Sequence, residues 1–114
     1  MAFVRTAISH YDFSNVVSIG DVSFTLAHNL EHIYLPSSIK HIGERCFHRC
    51  YNLNKVEIDA DVTSLNERMF KAAINLKTAI ISNQNIRRLE CEVFDDCYSL
   101  SSISFANKDI EILK

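Results

Sequence analysis

The sequence predicts an α/β repeat solenoid, a stack of about four to five coils of about 23 residues, each with a short strand and a short helical segment. One observation is a period, because Phe24, Phe47, Phe70 and Phe94 are separated by 23, 23 and 24 residues. Another is that six further positions keep this register, 8 and 5 residues before each Phe and 3, 6, 9 and 11 residues after it. All 28 sites of these seven positions in four copies are apolar, in a chain that is 47% hydrophobic. Chance does not produce such agreement, so the chain is a repeat protein.

The strand of each coil is predicted by alternation. In residues 53–58, one polar residue separates Val56 from Ile58, which is the period of a half-buried strand. The same pattern recurs near residues 31–35, 54–58, 77–81 and 101–105.

The helical segment of each coil is predicted by a change of spacing. Ile42, Cys46, Phe47 and Cys50 are separated by four, one and three residues, as on one face of a short helical turn. Three copies begin this segment with an acidic residue, which the positive end of a helix favours. These residues are Asp21, Glu44 and Glu67. Because one strand and one helical turn cannot bury an apolar face alone, we expect the coils to stack around one continuous core.

One coil resembles a known family. Residues 38–53, which read SIKHIGERCFHRCYNL, are similar to the BspA-like leucine-rich repeat family, and the resemblance extends over residues 16–110. It implies a curved right-handed solenoid that binds proteins, often in adhesion at bacterial or protist surfaces, and it brings no catalytic residue. Asn66 and Glu90 replace the glycine that the first two coils have at this position. Since Asn tolerates a left-handed backbone and Glu does so poorly, the sequence leaves the backbone geometry near Glu90 open.

The domain organisation follows from the register. Residues 1–15 are outside it but contain apolar and aromatic side chains, so they predict an N-terminal cap or a degenerate coil. Residues 16–114 are the solenoid of this single domain, and Ile110 and Leu113 repeat the spacing that begins each coil. The unfinished fifth coil leaves three interpretations open: a contact surface for a homo-oligomer, a chain cut from a longer repeat array, or a last strand that closes the stack.

Charge and hydropathy exclude several classes of partner. The chain has 12 Lys and Arg residues against 14 Asp and Glu, a net charge of −2 and a pI near 6.2. Nucleic acids and anionic membranes attract clustered excess cations, so neither is an expected partner. The N-terminus lacks a secretory pattern and no apolar run reaches ~18 residues, so we expect no membrane insertion. As written, the chain is expected to be cytoplasmic. As a fragment of a longer chain, it would be secreted or at a surface.

No set of residues predicts catalysis, a cofactor or a metal site. The five histidines occupy five different repeat positions, so no position concentrates them. Cys46 and Cys50, with His48 between them, lack the second ligand pair of a structural zinc site. Cys50 and Cys97 are two coils, or about 10 Å, apart, beyond the ~7 Å reach of a disulfide. Both replace an Ala of other coils, so we expect small buried side chains there. A thiol- or metal-dependent protein stays an alternative.

Two outward-facing surfaces are candidates for partner binding. Two rows of strand residues point away from the core and form the predicted partner-binding face: His32, Tyr34, Lys55, Glu57, Thr78, Ile80, Ser102 and Ser104. An alternative row follows the Ala or Cys position, at Tyr51, Ile74 and Tyr98. Beside it, a column of asparagines is expected to bond the turn backbone. The sequence therefore predicts a non-enzymatic protein-protein interaction module. The alternative is a structural or adhesive unit of a larger surface protein.

Overall fold

Residues 11–113 form a stack of parallel strands without a helix, in the computed structural model that describes them. The strands are β1 (Ser18–Ile19), β2 (His32–Leu35), β3 (His41–Ile42), β4 (Lys55–Ile58), β5 (Ser64–Leu65), β6 (Thr78–Ile81), β7 (Arg88–Leu89), β8 (Ser102–Phe105) and β9 (Glu111–Ile112). The longer strands form a parallel sheet in the order β2-β4-β6-β8. The two-residue strands form the sheets β1-β3 and β5-β7-β9.

The strand register reproduces the period of the sequence. His32 is paired with Lys55, Lys55 with Thr78, and Thr78 with Ser102. Partners are therefore separated by 23, 23 and 24 residues, as the recurring phenylalanines are. Burial alternates along β2 and β4, with the apolar residues inside. The predicted repeat solenoid and its register are confirmed.

The predicted helical segments are wrong, because a series of turns joins the short strand to the long strand of each coil. Val22 and Leu26 have positive φ angles of 52° and 63°. The same two positions have positive φ in the other coils, at Arg45, Arg49, Arg68, Ala72, Glu92 and Asp96. A left-handed residue at every fourth position interrupts a helix. The backbone N–H of Val22 donates instead to the carbonyl of Glu44 in the next coil, at 2.9 Å.

Stacking explains why the apolar spacing suggested a helix. The turn segment directs the same side chains into the core as a helical turn would. Every second backbone N–H donates to the neighbouring coil, however, and the bonds within the segment close short turns from one residue to the third before it, as from Ala27 to Phe24. The N–H of Phe24 itself donates to the neighbouring coil, at the carbonyl of Cys46, over 2.8 Å. A helix dipole therefore does not account for the acidic residues. The Asp21 carboxylate accepts the backbone N–H of Glu44 at 2.8 Å, which joins two coils.

A ladder of phenylalanine rings runs along the core. Ring centroids are 5.3 Å apart between Phe24 and Phe47 and 5.4 Å apart between Phe47 and Phe70. The last pair, Phe70 and Phe94, is 5.5 Å apart with 4° between the ring planes. The near-parallel rings show that successive coils stack with little rotation at this position.

The core is covered along its length and open at its C-terminal end. Coils 1 to 4 comprise residues 16–38, 39–61, 62–85 and 86–109. In the first three coils the recurring apolar positions are buried, except for the half-buried Val16 and Val62. In coil 4, Ile103 is 41% exposed and Phe94 is half-buried. Each coil is covered by the coil that follows it, and in the described part of the chain no complete coil follows coil 4.

Aromatic side chains cover the N-terminal end of the core. Phe13 is 2% exposed, and its ring centroid is 5.4 Å from that of Phe24. The ring of Tyr11 meets Phe24 edge-on at 5.3 Å. The cap predicted for residues 1–15 includes residues 1–10, which lie outside the described residues, so the complete cap stays a prediction.

The glycine position of the repeat does not require a left-handed backbone. Neither Gly20 nor Gly43 has a positive φ, and Glu90 does not have one either. Glu90 therefore occupies this position without a left-handed backbone. Asn66 fills the position in coil 3, where its side-chain amide donates to the carbonyl of Ile42. That bond lies between β3 and β5, which do not pair as strands.

Candidate binding surfaces

The parallel sheet presents both predicted outward rows on one face. The register aligns one row on successive strands as His32, Lys55, Thr78 and Ser102, and the other as Tyr34, Glu57, Ile80 and Ser104. Because neighbouring strands are about 4.8 Å apart, each row is a fixed column about 15 Å long. The role of these eight residues in binding a partner stays a prediction.

A shallow groove occupies the N-terminal half of the sheet face. It has a volume of about 340 Å³ and is lined by Tyr11, His32, Ile33, Tyr34, Lys55 and Glu57. Tyr34 is 49% exposed. Desolvation, followed by the charges of Asp59 and Glu57, raises the pKa of the Tyr34 hydroxyl above its ordinary value. The phenol is therefore neutral at physiological pH, and a hydrogen bond with the Asp59 side chain contributes to this rise in pKa.

The C-terminal half of the sheet face presents uncharged side chains, none of them aromatic. Thr78 and Ile80 are half-buried, and Ser102 and Ser104 are exposed. Three consecutive coils thus present an aromatic, an acidic and an aliphatic side chain in one row, followed by a serine. Apolar contact area is concentrated at Tyr34 and Ile80.

The alternative row on the turns is not continuous. Tyr98 is 79% exposed and Ile74 is 38% exposed. Tyr51 is half-buried and packs on the ring of His28, with ring centroids 5.3 Å apart. The Tyr98 hydroxyl donates to Oδ1 of Asp96 at 3.1 Å, and this bond is the main reason why the pKa of Tyr98 is raised. Tyr51 thus covers a neighbouring coil, whereas Tyr98 protrudes.

Asparagines beside this row bond the backbone of the preceding coil, as the sequence predicts. The amide of Asn75 donates to the carbonyl of Tyr51 at 2.8 Å. The amide of Asn52 donates to the carbonyl of His28. These side chains hold successive turns in register, so their role is structural.

The turn segments carry a charge pattern that the sequence interpretation missed. Coils 2 and 3 have Arg45 and Arg68 at the position where coil 4 has Glu92. Nζ of Lys71 is 2.6 Å and Nη2 of Arg68 is 3.2 Å from the Glu92 carboxylate. Hydrogen bonds from Lys71 and then Arg68 lower the pKa of Glu92 to about 2. The signal was present in the repeat alignment, as a change from basic to acidic at one repeat position.

The buried thiols act as hydrogen-bond donors inside the stack. Sγ of Cys46 donates to the carbonyls of Gly20 at 3.2 Å and Gly43 at 3.1 Å. Sγ of Cys50 donates to the carbonyl of Phe24 at 3.2 Å. Burial raises the pKa of both thiols to about 12, so both keep the proton that they donate in these bonds. Within the described part of the chain, no three His, Cys, Asp or Glu side chains are grouped to hold a metal ion.

The open end of the core forms a second groove, the C-terminal groove. It has a volume of about 480 Å³ and is lined by Leu89, Glu90, Glu92, Val93, Phe94, Asp95, Ile103, Phe105, Ile112 and Leu113. β9 pairs with β7, so a fifth coil begins where the sequence predicts it. β9 extends the stack but leaves the groove open, and Ile112 is 57% exposed.

Solved structures of leucine-rich repeat proteins share this fold. A leucine rich cell surface protein from Faecalibacterium prausnitzii superposes with a TM-score of 0.68 at 21% identity, over 90% of this chain and 33% of that one. A leucine-rich repeat protein from Bacteroides ovatus superposes with a TM-score of 0.70 at 18% identity, over 85% and 31%. A leucine-rich repeat protein from Eubacterium ventriosum gives 0.68 at 20% identity, over 77% and 32%. The chain thus spans about a third of the length of these proteins.

Two further comparisons concern sequence and membrane spans. No curated protein matches this chain in sequence. Among residues 11–113, no helix has the length and hydrophobicity that a bilayer crossing requires.

The family is shown by the sequence. The pattern that describes the BspA type leucine rich repeat region matches residues 1–114, in six copies. The strand register and the phenylalanine ladder have the same period in three dimensions. The chain belongs to the BspA type leucine-rich repeat family.

Proposed function

We propose that this chain is a non-enzymatic protein-binding module whose partner contacts the parallel sheet. The observation that carries the proposal is the register, which places Tyr34, Glu57 and Ile80 side by side on adjacent strands. Aromatic and aliphatic side chains with a few polar neighbours are the composition of interface cores. A stacked sheet holds them in place before binding, so little conformational entropy is lost on association.

The chemistry of the face indicates the kind of segment that fits it. An apolar side chain of the partner would lie between Tyr34 and Ile80, and a cation would meet Glu57. Lys55 beside them suits a carboxylate. Because a face about 15 Å long is smaller than a standard interface, we expect a weak contact unless the turn row with Tyr98 adds area.

Site-specific crosslinking tests the proposed face. A photoreactive amino acid at Thr78, on the sheet, is compared with the same group at Ile74, on the turns. Crosslinked proteins from the native source are identified by mass spectrometry and purified. Crosslinks from Thr78 and none from Ile74 are the expected result, and the reverse would place the partner on the turn row.

Titration of the purified partner measures the contribution of the anchors. Tyr34→Ala combined with Ile80→Ala should weaken binding at least tenfold, which corresponds to about 1.4 kcal/mol or more. Both side chains point away from the core, so circular dichroism and the melting temperature should change little. Tyr51→Ala combined with Tyr98→Ala is the matched control and should leave the affinity unchanged.

A structural or adhesive unit of a larger surface protein is the second candidate. It is supported by the likeness to a leucine rich cell surface protein and by the share of that protein, 33%, which this chain covers. Antibodies to the chain, applied to intact cells of its source, test the location. Labelling that external protease removes would support a surface position, and labelling seen only after lysis would support the cytoplasmic one.

A further inference from the structure

The turn segments of coils 2 and 3 carry nitrogen-bearing side chains at the same repeat positions. Arg45 of coil 2 has the position of Arg68 in coil 3, and His48 has the position of Lys71. Coil 2 adds Arg49, at a position where coil 3 has no charge. Arg49 is exposed, and Arg45 and His48 are half-buried. These three side chains of coil 2, all within five residues, are called the basic turn below.

Coil 3 shows what cations at these positions bind. The Glu92 carboxylate of coil 4 is 3.2 Å from Nη2 of Arg68 and 2.6 Å from Nζ of Lys71. Glu92 is one repeat after Arg68, so each coil receives the side chain that its successor has at this position. The side chain that coil 2 receives there is Arg68, a cation. The chain therefore supplies a carboxylate to the pair in coil 3 and none to the pair in coil 2.

The two guanidinium groups of the basic turn are not neutralised within the described part of the chain. The ion pairs among residues 11–113 include neither Arg45 nor Arg49. Residues 1–10 contain no Asp or Glu. The basic turn lies in the interior of the stack, with coil 1 on one side and coil 3 on the other. Its charge is therefore available to an anion from outside the chain.

His48 lies in the positive field of these cations. Burial is the main cause that lowers the pKa of His48 below its ordinary value, and four neighbouring charges lower it further: Arg49, Arg45, Lys71 and Arg68. The imidazole is therefore neutral at physiological pH and has one N–H to donate. An anion bound beside it would offset the positive field and raise the pKa of His48 again.

We propose that the basic turn binds a phosphate group, with Arg45 and Arg49 as its ion partners and His48 as a neutral donor. A guanidinium donates two parallel N–H bonds to phosphate oxygens, so its geometry suits this anion. Two guanidinium charges also match the nearly two negative charges of a phosphate monoester at pH 7. In coil 3, where the third position has no charge, the pair of cations holds the single charge of a carboxylate.

The pKa of His48 measures occupancy of the basic turn. It is determined by NMR titration of the full chain in sodium chloride, in sodium phosphate and in sodium acetate, all at the same ionic strength. In phosphate the pKa of His48 should be higher than in chloride by roughly 1 pH unit. Acetate, which carries one charge and two oxygens, should raise it much less.

Residues borrowed from other coils allow the two arginines to be removed without backbone strain. Coil 1 has Val22 where coil 2 has Arg45, and coil 3 has Ala72 where coil 2 has Arg49, and all four residues have a positive φ. Arg45→Val combined with Arg49→Ala should weaken phosphate binding at least tenfold. Arg49→Ala alone should lose part of the affinity, so the test does not depend on the folding of the double variant. Arg87→Ala, at an exposed position beside β7, is the matched control and should bind phosphate as the unchanged chain does.

Two probes distinguish a soluble phosphate from a lipid headgroup. Inorganic phosphate represents the soluble source, and phosphatidylcholine vesicles that contain phosphatidic acid represent the lipid. Cosedimentation with these vesicles that the double variant loses would identify the lipid source. Binding of inorganic phosphate without cosedimentation would identify a soluble ligand.

Three results would overturn the proposal. They are an unchanged pKa of His48 in phosphate, an equal rise in acetate, and equal phosphate binding by the double variant. None of them affects the proposal for Tyr34 and Ile80, because the sheet face and the basic turn are separate surfaces.

Discussion

Gly43 lies against the backbone of Asp21 in the preceding coil, so closely that a Cβ at Gly43 would be 2.8 Å from the Asp21 Cα. The two residues are held together, because the Gly43 N–H donates to the carbonyl of Ile19 at 2.8 Å. The Asp21 carboxylate in turn accepts the N–H of Glu44 at 2.8 Å. Close approach between coils 1 and 2, and not a left-handed φ, is what requires glycine at residue 43.

Gly43→Ala should therefore destabilise the stack. The methyl group would push two coils apart, and we expect the free energy of unfolding to fall by about 1 to 3 kcal/mol. Gly20→Ala is the control, because a Cβ there meets only Oγ of Ser23 at 3.5 Å. It should leave stability unchanged or raise it by up to about 1 kcal/mol through the unfolded chain. Urea denaturation measures both, and equal effects would contradict the close contact.

The position of a ring in the phenylalanine ladder should decide the cost of removing it. Phe70 is 0% exposed with a ring on each side, so Phe70→Ala should lower the free energy of unfolding by about 3 to 5 kcal/mol. Phe94 is half-buried at the open end, so Phe94→Ala should cost clearly less. Thermal and urea unfolding of the two variants would compare them. A larger loss at Phe94 would show that the C-terminal end is covered in solution.

The ion pairs of Glu92 should contribute stability that depends on pH. Lys71 and Arg68 lower the pKa of Glu92 from 4.5 to about 2 in the folded protein. Because the folded pKa lies below the unfolded one, this contribution is present above about pH 4.5 and is lost as the pH falls towards 2. Glu92→Gln should thus lower the melting temperature at pH 7 and have little effect near pH 2. Glu31→Gln, at an exposed position, serves as the control for a general loss of charge.

The four cysteines should differ in their reactivity towards a thiol reagent. Cys46 and Cys50 are 0% exposed with pKa values raised to about 12, and burial raises the pKa of the half-buried Cys97 to about 11. Cys91 is partly exposed at the start of the fourth turn segment. We expect Cys91 to be labelled first and the buried pair only on unfolding, as peptide mass mapping would show.

A Cys91 variant and a reductant test this assignment of the thiols. Slow labelling should be unchanged by Cys91→Ser, and the fast phase should disappear. A reductant should leave the melting temperature unchanged. A native disulfide between Cys50 and Cys97 would contradict the repeat register, because these residues lie two coils apart.

The sequence was sufficient for the period, the inward positions and the strand register. The phenylalanines from Phe24 to Phe94 recur because each ring stacks on its neighbour. The recurrence of one residue type therefore gives the period of the core. The pairing of His32 with Lys55, and of Tyr34 with Glu57, follows once the period is known. In a parallel stack, residues that are one repeat apart lie side by side on neighbouring strands. The period alone therefore predicts the strand register.

The tertiary structure decided the conformation of the turns and the use of the charged and polar residues. Ile42, Cys46, Phe47 and Cys50 have a helical spacing, but hydrogen bonds to the next coil replace those of a helix, and one segment by itself cannot reveal its neighbour. The same reason applies to Lys71 and Glu92, which meet only because coils 3 and 4 stack. Exposure also depends on the neighbouring coil. Tyr51 is half-buried beside His28 and Tyr98 is 79% exposed, although both occupy one repeat position, because coverage by surrounding residues is a property of the assembled stack.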